Sequence, residues 1–367
     1  MKIERAIISG GGTGGHIFPA IAIANEIKRR NPQAAILFVG AIGKMEMEKV
    51  PAAGYTIEGL KIVGLKRKIA LSNFLLPFKI IMSLWKARKI IKRFKPQVVV
   101  GVGGFASGPT LKAATLLKIP SIVQEQNSFP GKTNKILSKA VSKICVAYEG
   151  LERFFPSEKI ILTGNPTRQE MIQIEGKEKE AYDFYKFDPD RKTILIIGGS
   201  LGARSLNESV LNTLDQLNHS GVQVLWQSGK LYHDKIKEQL SSMTLSNIKL
   251  VAFIARMDLA YAVADVVISR AGAISVSELC LVKKPTILVP SPNVAEDHQT
   301  KNALALVNKD AAVLVKDLEA KDTLIPTAIE LLNDSERKNI LQSNISKLGK
   351  PNATSDIVDE LEKLLRH

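Results

Sequence analysis

The sequence lacks acidic residues over a long stretch of its first half. Between positions 59 and 124 it has thirteen Lys or Arg and no Asp or Glu. Residues 1–163 hold 26 basic and 9 acidic side chains, whereas residues 164–367 hold 25 and 27. The excess positive charge surrounds the apolar, aromatic-containing segment 71–85. A basic side chain near an anionic leaflet contributes about 1 kcal/mol to binding, whereas a nucleic-acid module would interleave aromatics with Arg. The pattern therefore favours a membrane surface.

Cysteines and long apolar runs are also scarce. Cys145 and Cys280 are isolated thiols without CxxC spacing, which is typical of a reduced, cytosolic compartment. Lys79 and Lys86 interrupt the most apolar stretch before it reaches the about 18 residues of a spanning helix. The first residues lead directly into a strand and a glycine loop, unlike a signal peptide. The sequence predicts a protein that lies on a membrane and does not cross it.

Both halves alternate short β-branched runs with helical patterns, which is typical of βαβ units and parallel sheets. The pattern restarts after a charged segment at 169–192, so we predict two doubly wound α/β domains, 1–163 and 164–367, with a last helix that can return to the first. Such sheets bind ligands at the carboxyl ends of their strands, so the expected site is an interdomain cleft. The predicted strands are 5–9, 35–39, 97–100, 121–124, 143–147, 193–197, 222–227, 249–253, 266–269, 286–289 and 312–315; the predicted helices of the first half are 18–30, 77–94, 109–117 and 131–139.

The predicted helix at 77–94 has two apolar faces. The stripe expected to pack on the core consists of Ile80, Leu84, Ala87, Ile91 and Phe94. If the helix extends backwards, the opposite face carries Leu71, Phe74, Leu75, Phe78, Met82 and Trp85, flanked by Lys79, Lys86 and Lys89. A neighbouring loop could cover this second face. Its basic flanks favour insertion into the headgroup region of an anionic membrane.

Three glycine clusters follow predicted strands, at 10–15, 101–108 and 198–202. Glycine lets a ligand approach the backbone, and the N–H groups of the following helix attract anions. One such loop would fit a tight turn equally well. Three loops, drawn from both halves, indicate a phosphate-bearing ligand.

Known phosphate and metal motifs are incomplete. Gly10, Gly12 and Gly15 match GxGxxG, but the second strand ends without the acid that binds an NAD ribose. No glycine loop continues into Lys-Ser or Lys-Thr, which excludes a Walker phosphate loop. Asp188-Pro-Asp190 resembles a D-x-D metal motif, but its position in a charged linker predicts a turn.

Two further segments carry suitable chemistry. Segment 269–278 follows a strand and opens a helix, so its amides could bind a phosphate while Glu278 accepts hydrogen bonds from ribose hydroxyls. Gln299 and Asn302 share a helix face, which suits sugar hydroxyls. Each segment alone also fits a capped helix start with a solvated polar face.

Taken together, these segments resemble the MurG family, the UDP-N-acetylglucosamine:lipid I N-acetylglucosaminyltransferases of peptidoglycan synthesis. The matching strings are GGGTGGHIFP from Gly10, GVGGFASGP from Gly101, QEQN from Gln124, GNPTR from Gly164, GGSLGAR from Gly198, and segments 270–278 and 299–302. The resemblance implies a GT-B fold, two Rossmann-like domains with the acceptor and membrane on the first and the UDP-sugar mainly on the second.

The resemblance also implies residue roles. His16 would be the general base, since an imidazole pKa near 6.5 suits neutral pH, with Glu125 as the rival. Thr13, Gly14 and Gly15 would contact the donor, and Asn127 and Gln299 its N-acetylglucosamine hydroxyls; Arg168 and Ser200 would bind the diphosphate, Ile254 the uracil and Glu278 the ribose. Phe105 and Ala271 stand where the family often has Tyr and Ser, so each position loses a hydroxyl.

The implied reaction is an inverting attack of the acceptor's C4 hydroxyl on C1 of the sugar, with no cofactor and no divalent ion. The implied partners are UDP-N-acetylglucosamine, undecaprenyl-linked lipid I and an anionic membrane surface, without nucleic acid. The implied location is peripheral, on the cytoplasmic face of the bacterial plasma membrane. Two alternatives stay open: another GT-B enzyme, such as a glycolipid transferase or a UDP-N-acetylglucosamine epimerase, and, from the net charge of +15, a nucleic-acid-binding protein.

Overall fold

The computed structural model describes residues 1–62, 76–167 and 172–366, without the side chains of residues 76–78 and 295. The chain forms two compact units: residues 1–167 with 350–367, and residues 168–349. The first contains a seven-stranded sheet and the second a six-stranded sheet, and all the strand pairs are parallel.

The first unit alternates strands and helices. Its strands are β1 (Arg5–Ser9), β2 (Ala35–Ala41), β3 (Thr56–Leu60), β4 (Val98–Gly101), β5 (Ser121–Glu125), β6 (Lys143–Val146) and β7 (Ile160–Leu162). Its helices up to residue 167 are α1 (Gly14–Arg30), α2 (Glu46–Ala52), α3 (Leu76–Phe94), α4 (Ser107–Leu116) and α5 (Lys132–Leu137). The sheet order is β3-β2-β1-β4-β5-β6-β7. The order reverses between β1 and β4, and loops at such a switch point form the usual ligand crevice of doubly wound sheets.

Alternate residues of the first sheet enter two separate cores. Ile8 of β1 packs with Ile17 and Ile23 of α1, whereas its neighbour Ile7 packs with Ile91 of α3 and Leu111 of α4. Side chains of a strand alternate between faces, so helices on both sides bury both. This explains the continuous apolar runs that identified most strands in the sequence.

The last helix belongs to the first unit. Helix α15 (Ala353–Lys363) places Ile357 and Leu361 in the same core as α1. Arg30, at the end of α1, donates hydrogen bonds to Asp359 at 2.5 Å and to Glu362 at 3.0 Å. Apolar packing and a half-buried ion cluster thus hold residues from both ends of the chain together.

The second unit repeats the βα pattern. Its strands are β8 (Thr193–Ile197), β9 (Gln223–Gln227), β10 (Ile248–Val251), β11 (Val266–Ser269), β12 (Thr286–Leu288) and β13 (Val313–Leu314). Its helices are α6 (Glu178–Tyr185), α7 (Arg204–Asn212), α8 (Leu214–His219), α9 (His233–Gln239), α10 (Met257–Val263), α11 (Ala273–Val282), α12 (His298–Val307), α13 (Ala320–Asn333) and α14 (Ser335–Ser346). The order β10-β9-β8-β11-β12-β13 reverses between β8 and β11.

The structure corrects the predicted elements at a few positions. The sequence missed β3 and β7, which lie at the two edges of the first sheet and are only partly buried. Helix α1 begins at Gly14, inside the glycine loop and not at 18. Ile80 was expected in the core stripe of α3 but is 52% exposed, whereas Ala87 and Ile91 are buried as predicted. Ile80 lies in the first turns of α3, before the part of the helix that reaches the sheet.

Candidate active site

The first two glycine loops meet at the switch point of the first sheet. The loop after β1 and the loop after β4 touch through the N–H of Gly11, which donates to the carbonyl oxygen of Gly103 at 3.3 Å. Gly104 has φ +86°, and a Cβ on it would lie 2.3 Å from the carbonyl oxygen of Gly11. Only glycine permits this conformation and this approach of two backbones.

His16 lies at the junction of these two loops. Its Nδ1 is 2.9 Å from the carbonyl oxygen of Gly11. A carbonyl oxygen only accepts hydrogen bonds, so Nδ1 donates and the lone pair of the neutral ring belongs to Nε2. A Cβ on Gly103 would come within 2.8 Å of Nε2, so glycine leaves room beside this nitrogen. The arrangement gives His16 the tautomer that a base acting through Nε2 requires.

Glu125 is held differently from His16. Its carboxylate is 1% exposed. It accepts hydrogen bonds from the N–H of Asn127 at 3.0 Å, from the N–H of Gly131 at 3.1 Å and from the amide of Asn134 at 2.8 Å. These bonds commit the carboxylate to shaping the loop after β5, on which Asn127 lies half-buried. The geometry therefore favours His16 over Glu125 as the base.

The predicted donor contacts of the first loop lie next to His16 along the chain. Thr13 and Gly15 are exposed and Gly14 is half-buried at the start of α1. Among them, only Thr13 has a side-chain oxygen, and it lies 3.5 Å from Nδ1 of His16. The structure thus places Thr13, Gly14, Gly15 and His16 in one partly exposed turn.

The second unit contains a cavity of about 760 Å³ at the carboxyl ends of β8 and β11. Its wall includes Gly198, Gly199, Arg270, Gly272, Gln299 and Lys321. Arg270 forms an ion pair with Asp317 and donates to the hydroxyl of Ser205 at 2.8 Å. Gln299 accepts the N–H of Ser291 at 2.8 Å. Sequence motifs did not single out Asp317 and Lys321, which lie beyond the last matching string.

Other predicted donor residues occupy different positions around this sheet. Ser200 is exposed, and its carbonyl oxygen accepts the N–H of Lys230 at 3.2 Å. Ile254 is 3% and Glu278 is 8% exposed, and the hydroxyl of Tyr261 donates to Glu278 at 3.5 Å. Neither Ile254 nor Glu278 forms part of the cavity wall.

Asn302 does not share the position of Gln299 on the cavity wall. Its side chain is fully buried, and its amide donates to the carbonyl oxygen of Ala271 at 3.3 Å. The i, i+3 spacing placed both side chains on one helix face, but one turn further along α12 that face is covered by the loop after β11. Asn302 therefore holds that loop, whereas Gln299 lies on the cavity wall.

The predicted membrane-contact face is described only in part. Phe74 and Leu75, like the predicted diphosphate ligand Arg168, lie outside the described residues, as does the side chain of Phe78. On α3, Met82 is 53% and Trp85 is 64% exposed. Lys89 lies over the Trp85 ring at 5.8 Å, and Lys86 donates to the carbonyl oxygen of Gly59 at 2.7 Å. Lys79 is half-buried. The described part of α3 thus exposes an apolar, basic face.

Neither a spanning helix nor a metal cluster occurs in the part of the chain that the structure describes. No helix there has the length and apolar character needed to cross a bilayer. No group of three or more His, Cys, Asp or Glu side chains there is arranged to hold a metal ion. Asp188 accepts the N–H of Asp190 at 2.9 Å, which confirms the predicted turn at the D-x-D string.

Comparisons with known proteins agree with this geometry. Residues 6–146 match the glycosyltransferase family 28 N-terminal domain, and residues 193–361 match its C-terminal domain. A protein of Flavobacterium psychrophilum is 56% identical over 100% of this chain and 99% of its own length. It is named UDP-N-acetylglucosamine–N-acetylmuramyl-(pentapeptide) pyrophosphoryl-undecaprenol N-acetylglucosamine transferase. A protein of Christiangramia forsetii with the same name is 55% identical over 99% of this chain and 98% of its own length.

The chain belongs to the MurG family of glycosyltransferases. The crystal structure of Acinetobacter baumannii MurG superposes with a TM-score of 0.81 at 29% identity, covering 98% of this chain and 99% of that one. A UDP-GlcNAc 2-epimerase of Neisseria meningitidis superposes with a TM-score of 0.66 at 17% identity, covering 98% and 99%, and shares the fold alone. The predicted family, the GT-B class of two Rossmann-like parallel-sheet domains, and the glycosyltransferase activity are confirmed.

Proposed function

We infer that this MurG-family enzyme transfers N-acetylglucosamine from UDP-N-acetylglucosamine to the C4 hydroxyl of the N-acetylmuramoyl group of lipid I, forming lipid II for peptidoglycan. The observation that carries this proposal is the turn at Gly11–His16. In this turn His16 has its proton on Nδ1 and its lone pair on Nε2, as a base acting through Nε2 requires. A relative that matches the whole chain is named for this transferase activity.

The reaction is an inverting displacement at C1 of the donor sugar. Nε2 of His16 takes the proton of the C4 hydroxyl as its oxygen forms a bond to C1 of the donor sugar. The bond from C1 to the β-phosphate oxygen breaks, and UDP leaves with the electron pair. Attack from the face opposite the leaving group inverts C1.

The second unit supplies the groups suited to the donor. Three kinds of group would stabilise the charge that develops on the departing diphosphate. They are the backbone N–H groups at the starts of α7 and α11, the side chain of Arg168 and the hydroxyl of Ser200. Gln299, on the cavity wall, would bind a sugar hydroxyl, Ile254 the uracil and Glu278 the ribose. Asn127, on the loop that Glu125 holds, would contact the N-acetylglucosamine from the first unit. None of these steps calls for a cofactor.

The acceptor is a lipid, and the exposed face of α3 is suited to the membrane that holds it. Met82 and Trp85 can enter the headgroup region while Lys79, Lys86 and Lys89 meet anionic headgroups. We therefore place the enzyme on the cytoplasmic face of the bacterial plasma membrane as a peripheral protein, with no nucleic-acid partner.

The deciding experiment incubates the purified protein with labelled UDP-N-acetylglucosamine and a lipid I analogue. The expected result is label in the lipid fraction and one UDP released per sugar transferred. Absence of transfer would overturn the proposal, and formation of an epimerised UDP-sugar without acceptor would identify an epimerase instead.

A further inference from the structure

Glu46 is a buried carboxylate beside the first glycine loop, and no sequence motif singles it out. It lies at the start of α2 and is 1% exposed. One carboxylate oxygen accepts the N–H of Gly12 at 2.7 Å, and the other accepts the N–H of Ala41, at the end of β2, at 2.9 Å. Hydrogen bonds to a charged acceptor are strong, and a buried donor that loses its partner is costly. Glu46 therefore fixes the glycine loop to the neighbouring strand.

The surrounding glycines leave the space that this carboxylate fills. A Cβ on Gly11 would lie 2.1 Å from Cδ of Glu46, and a Cβ on Gly40 would lie 2.6 Å from its Cγ. Glu46 alone therefore leaves no space for a side chain at Gly11, and at Gly40 it does so together with Ile57. The loop and the carboxylate form one packed element.

The peptide group that Glu46 binds is the one that orients His16. The N–H of Gly12 and the carbonyl of Gly11 belong to the same planar amide. Glu46 accepts from its N–H, and its carbonyl oxygen accepts from Nδ1 of His16. A carboxylate at the N–H end polarises the amide and strengthens its carbonyl as an acceptor, because linked hydrogen bonds reinforce one another.

We propose that Glu46 is a positioning residue, which acts on His16 through the Gly11–Gly12 peptide and keeps the proton on Nδ1 and the lone pair on Nε2. The proposal rests on the proposed role of His16 as the base. Because Glu46 is only 1% exposed, the proposed role is to position His16 and not to contact the sugar or the acceptor. In the opposite tautomer the Nδ1 lone pair would face a carbonyl oxygen, and this amide makes that arrangement unfavourable.

The direct test is the tautomer of His16 in the intact protein. The chain has only five histidines, so 15N-histidine labelling gives few signals, and the His16→Ala variant assigns the one of interest. At a pH where the ring is neutral, the wild type should show the Nδ1–H form. The Glu46→Gln variant places an NH2 group against the N–H of Gly12 or of Ala41, so one of the two hydrogen bonds is lost. We expect a mixture of the Nδ1–H and Nε2–H tautomers of His16 in this variant. An unchanged tautomer in Glu46→Gln would overturn the proposal.

The kinetic test separates this proposal from the function on which it rests. Glu46→Gln should lower kcat about 10- to 100-fold, part of the 10²- to 10⁴-fold typical of a general base, with little change in the KM for UDP-N-acetylglucosamine. In a His16→Ala background the same substitution should have no further effect on kcat. Equal effects in both backgrounds would overturn the positioning role, whereas near-normal turnover of His16→Ala would overturn the role of His16 itself.

Two further variants control for folding and charge. Glu48→Gln changes the same charge two residues away, on a side chain that is 79% exposed, and should behave as wild type. Glu46→Asp keeps the charge but withdraws the carboxylate by one CH2 group, and serves if Glu46→Gln does not fold. Thermal unfolding followed by circular dichroism shows whether both units of each variant are folded, because UDP binding alone reports mainly on the second unit. Wild-type kcat and tautomer in a folded Glu46→Asp would also contradict the proposal.

Discussion

The loops after β1 and β8 follow corresponding strands, each beside the point where its sheet reverses order, yet they are built differently. The first loop is fixed by the buried carboxylate of Glu46 and by the backbone of the loop after β4. In the second, Ser200 and Leu201 are exposed, with Leu201 at 59%, and the loop borders a cavity of about 760 Å³. A proton-transfer group requires a fixed environment, whereas a cavity accommodates a ligand. The difference supports the proposed division, in which the first unit performs the chemistry and the second binds most of the donor.

The comparison is tested most strongly by His16→Ala. Turnover should fall about 10²- to 10⁴-fold because the general base is lost, while UDP affinity stays unchanged. Steady-state transfer assays and calorimetry with UDP measure the two effects. His219→Ala is the matched control, since its Nδ1 also contacts a carbonyl oxygen, at 2.7 Å, away from both glycine loops. A parallel loss of UDP affinity would show that the two units do not divide the work in this way.

Glu278→Ala should give the opposite pattern. Loss of a carboxylate that accepts hydrogen bonds from ribose hydroxyls costs about 1.5–3 kcal/mol, which is roughly a 10- to 100-fold rise in the donor KM. The value of kcat should change little. The exposed Glu336, in α14, provides a control substitution to Ala. Unchanged UDP affinity in a folded Glu278→Ala variant would remove the ribose assignment.

The double variant Met82→Ser and Trp85→Ser should weaken vesicle binding about tenfold at every salt concentration. Full burial of one such side chain contributes about 1.5–3 kcal/mol, and the two side chains would be buried only partly in the headgroup region. Salt should weaken only the contribution of the lysines, because the Debye length falls from about 10 Å at 0.1 M to about 3 Å at 1 M. Co-sedimentation with anionic vesicles measures both. Met243→Ser, an exposed apolar position of the second unit, is the control. Loss of activity on a soluble, short-chain acceptor would show that this face is structural.

The smallest expected effect concerns stability in acid. Asp258 accepts from Arg256 at 2.8 Å and from Lys177 at 2.8 Å, and the Arg256 guanidinium holds the pKa of this carboxyl well below its usual range. The pKa of this carboxyl is about 3.9 in the unfolded chain and lower in the folded protein. The ionised carboxylate therefore stabilises the fold when the pH is above about 3.9, and this contribution is lost as the pH falls below that value. The Asp258→Asn variant should have a smaller free energy of unfolding than wild type at pH 7, and that free energy should fall less between pH 4 and pH 2 than it does in wild type. Equal losses, measured by urea unfolding, would contradict this assignment.

The central strands could be predicted from the sequence because burial on both faces demands continuous apolar runs. Residues 5–9, 193–197 and 266–269 form strands with the predicted bounds. Edge strands do not meet that condition: β3 reads TIEGL, with a Thr and a Glu, and β7 has three residues. Ile80 shows the same limit for helices, since periodicity identifies a face but not how far along the helix the sheet reaches.

The loops of the candidate site could also be predicted, because glycine after a strand is visible in the sequence. The residues that support those loops could not. Glu46 comes from a different helix and looks like any acid in a first turn, and Asn302 differs from Gln299 only in what covers it. A buried polar side chain acts through distant backbone atoms, and a single sequence does not show which ones. The sequence offers one signal for such a supporting residue. It is a charged residue that follows a strand by a few positions in a sheet with glycine-rich loops, as Glu46 follows β2.

Helix α15 sets the order in which this protein can be completed during synthesis. Ile357, Val358 and Leu361 complete a buried core whose other members all come from residues 3–145. The ribosome makes residues 168–349 in between, so the second unit can finish folding while the first still exposes one face of its sheet. The first unit to emerge is therefore the last to be finished. Its open face stays exposed until α15 emerges, and a chain that stops before residue 353 should yield an intact second unit beside an incomplete first unit.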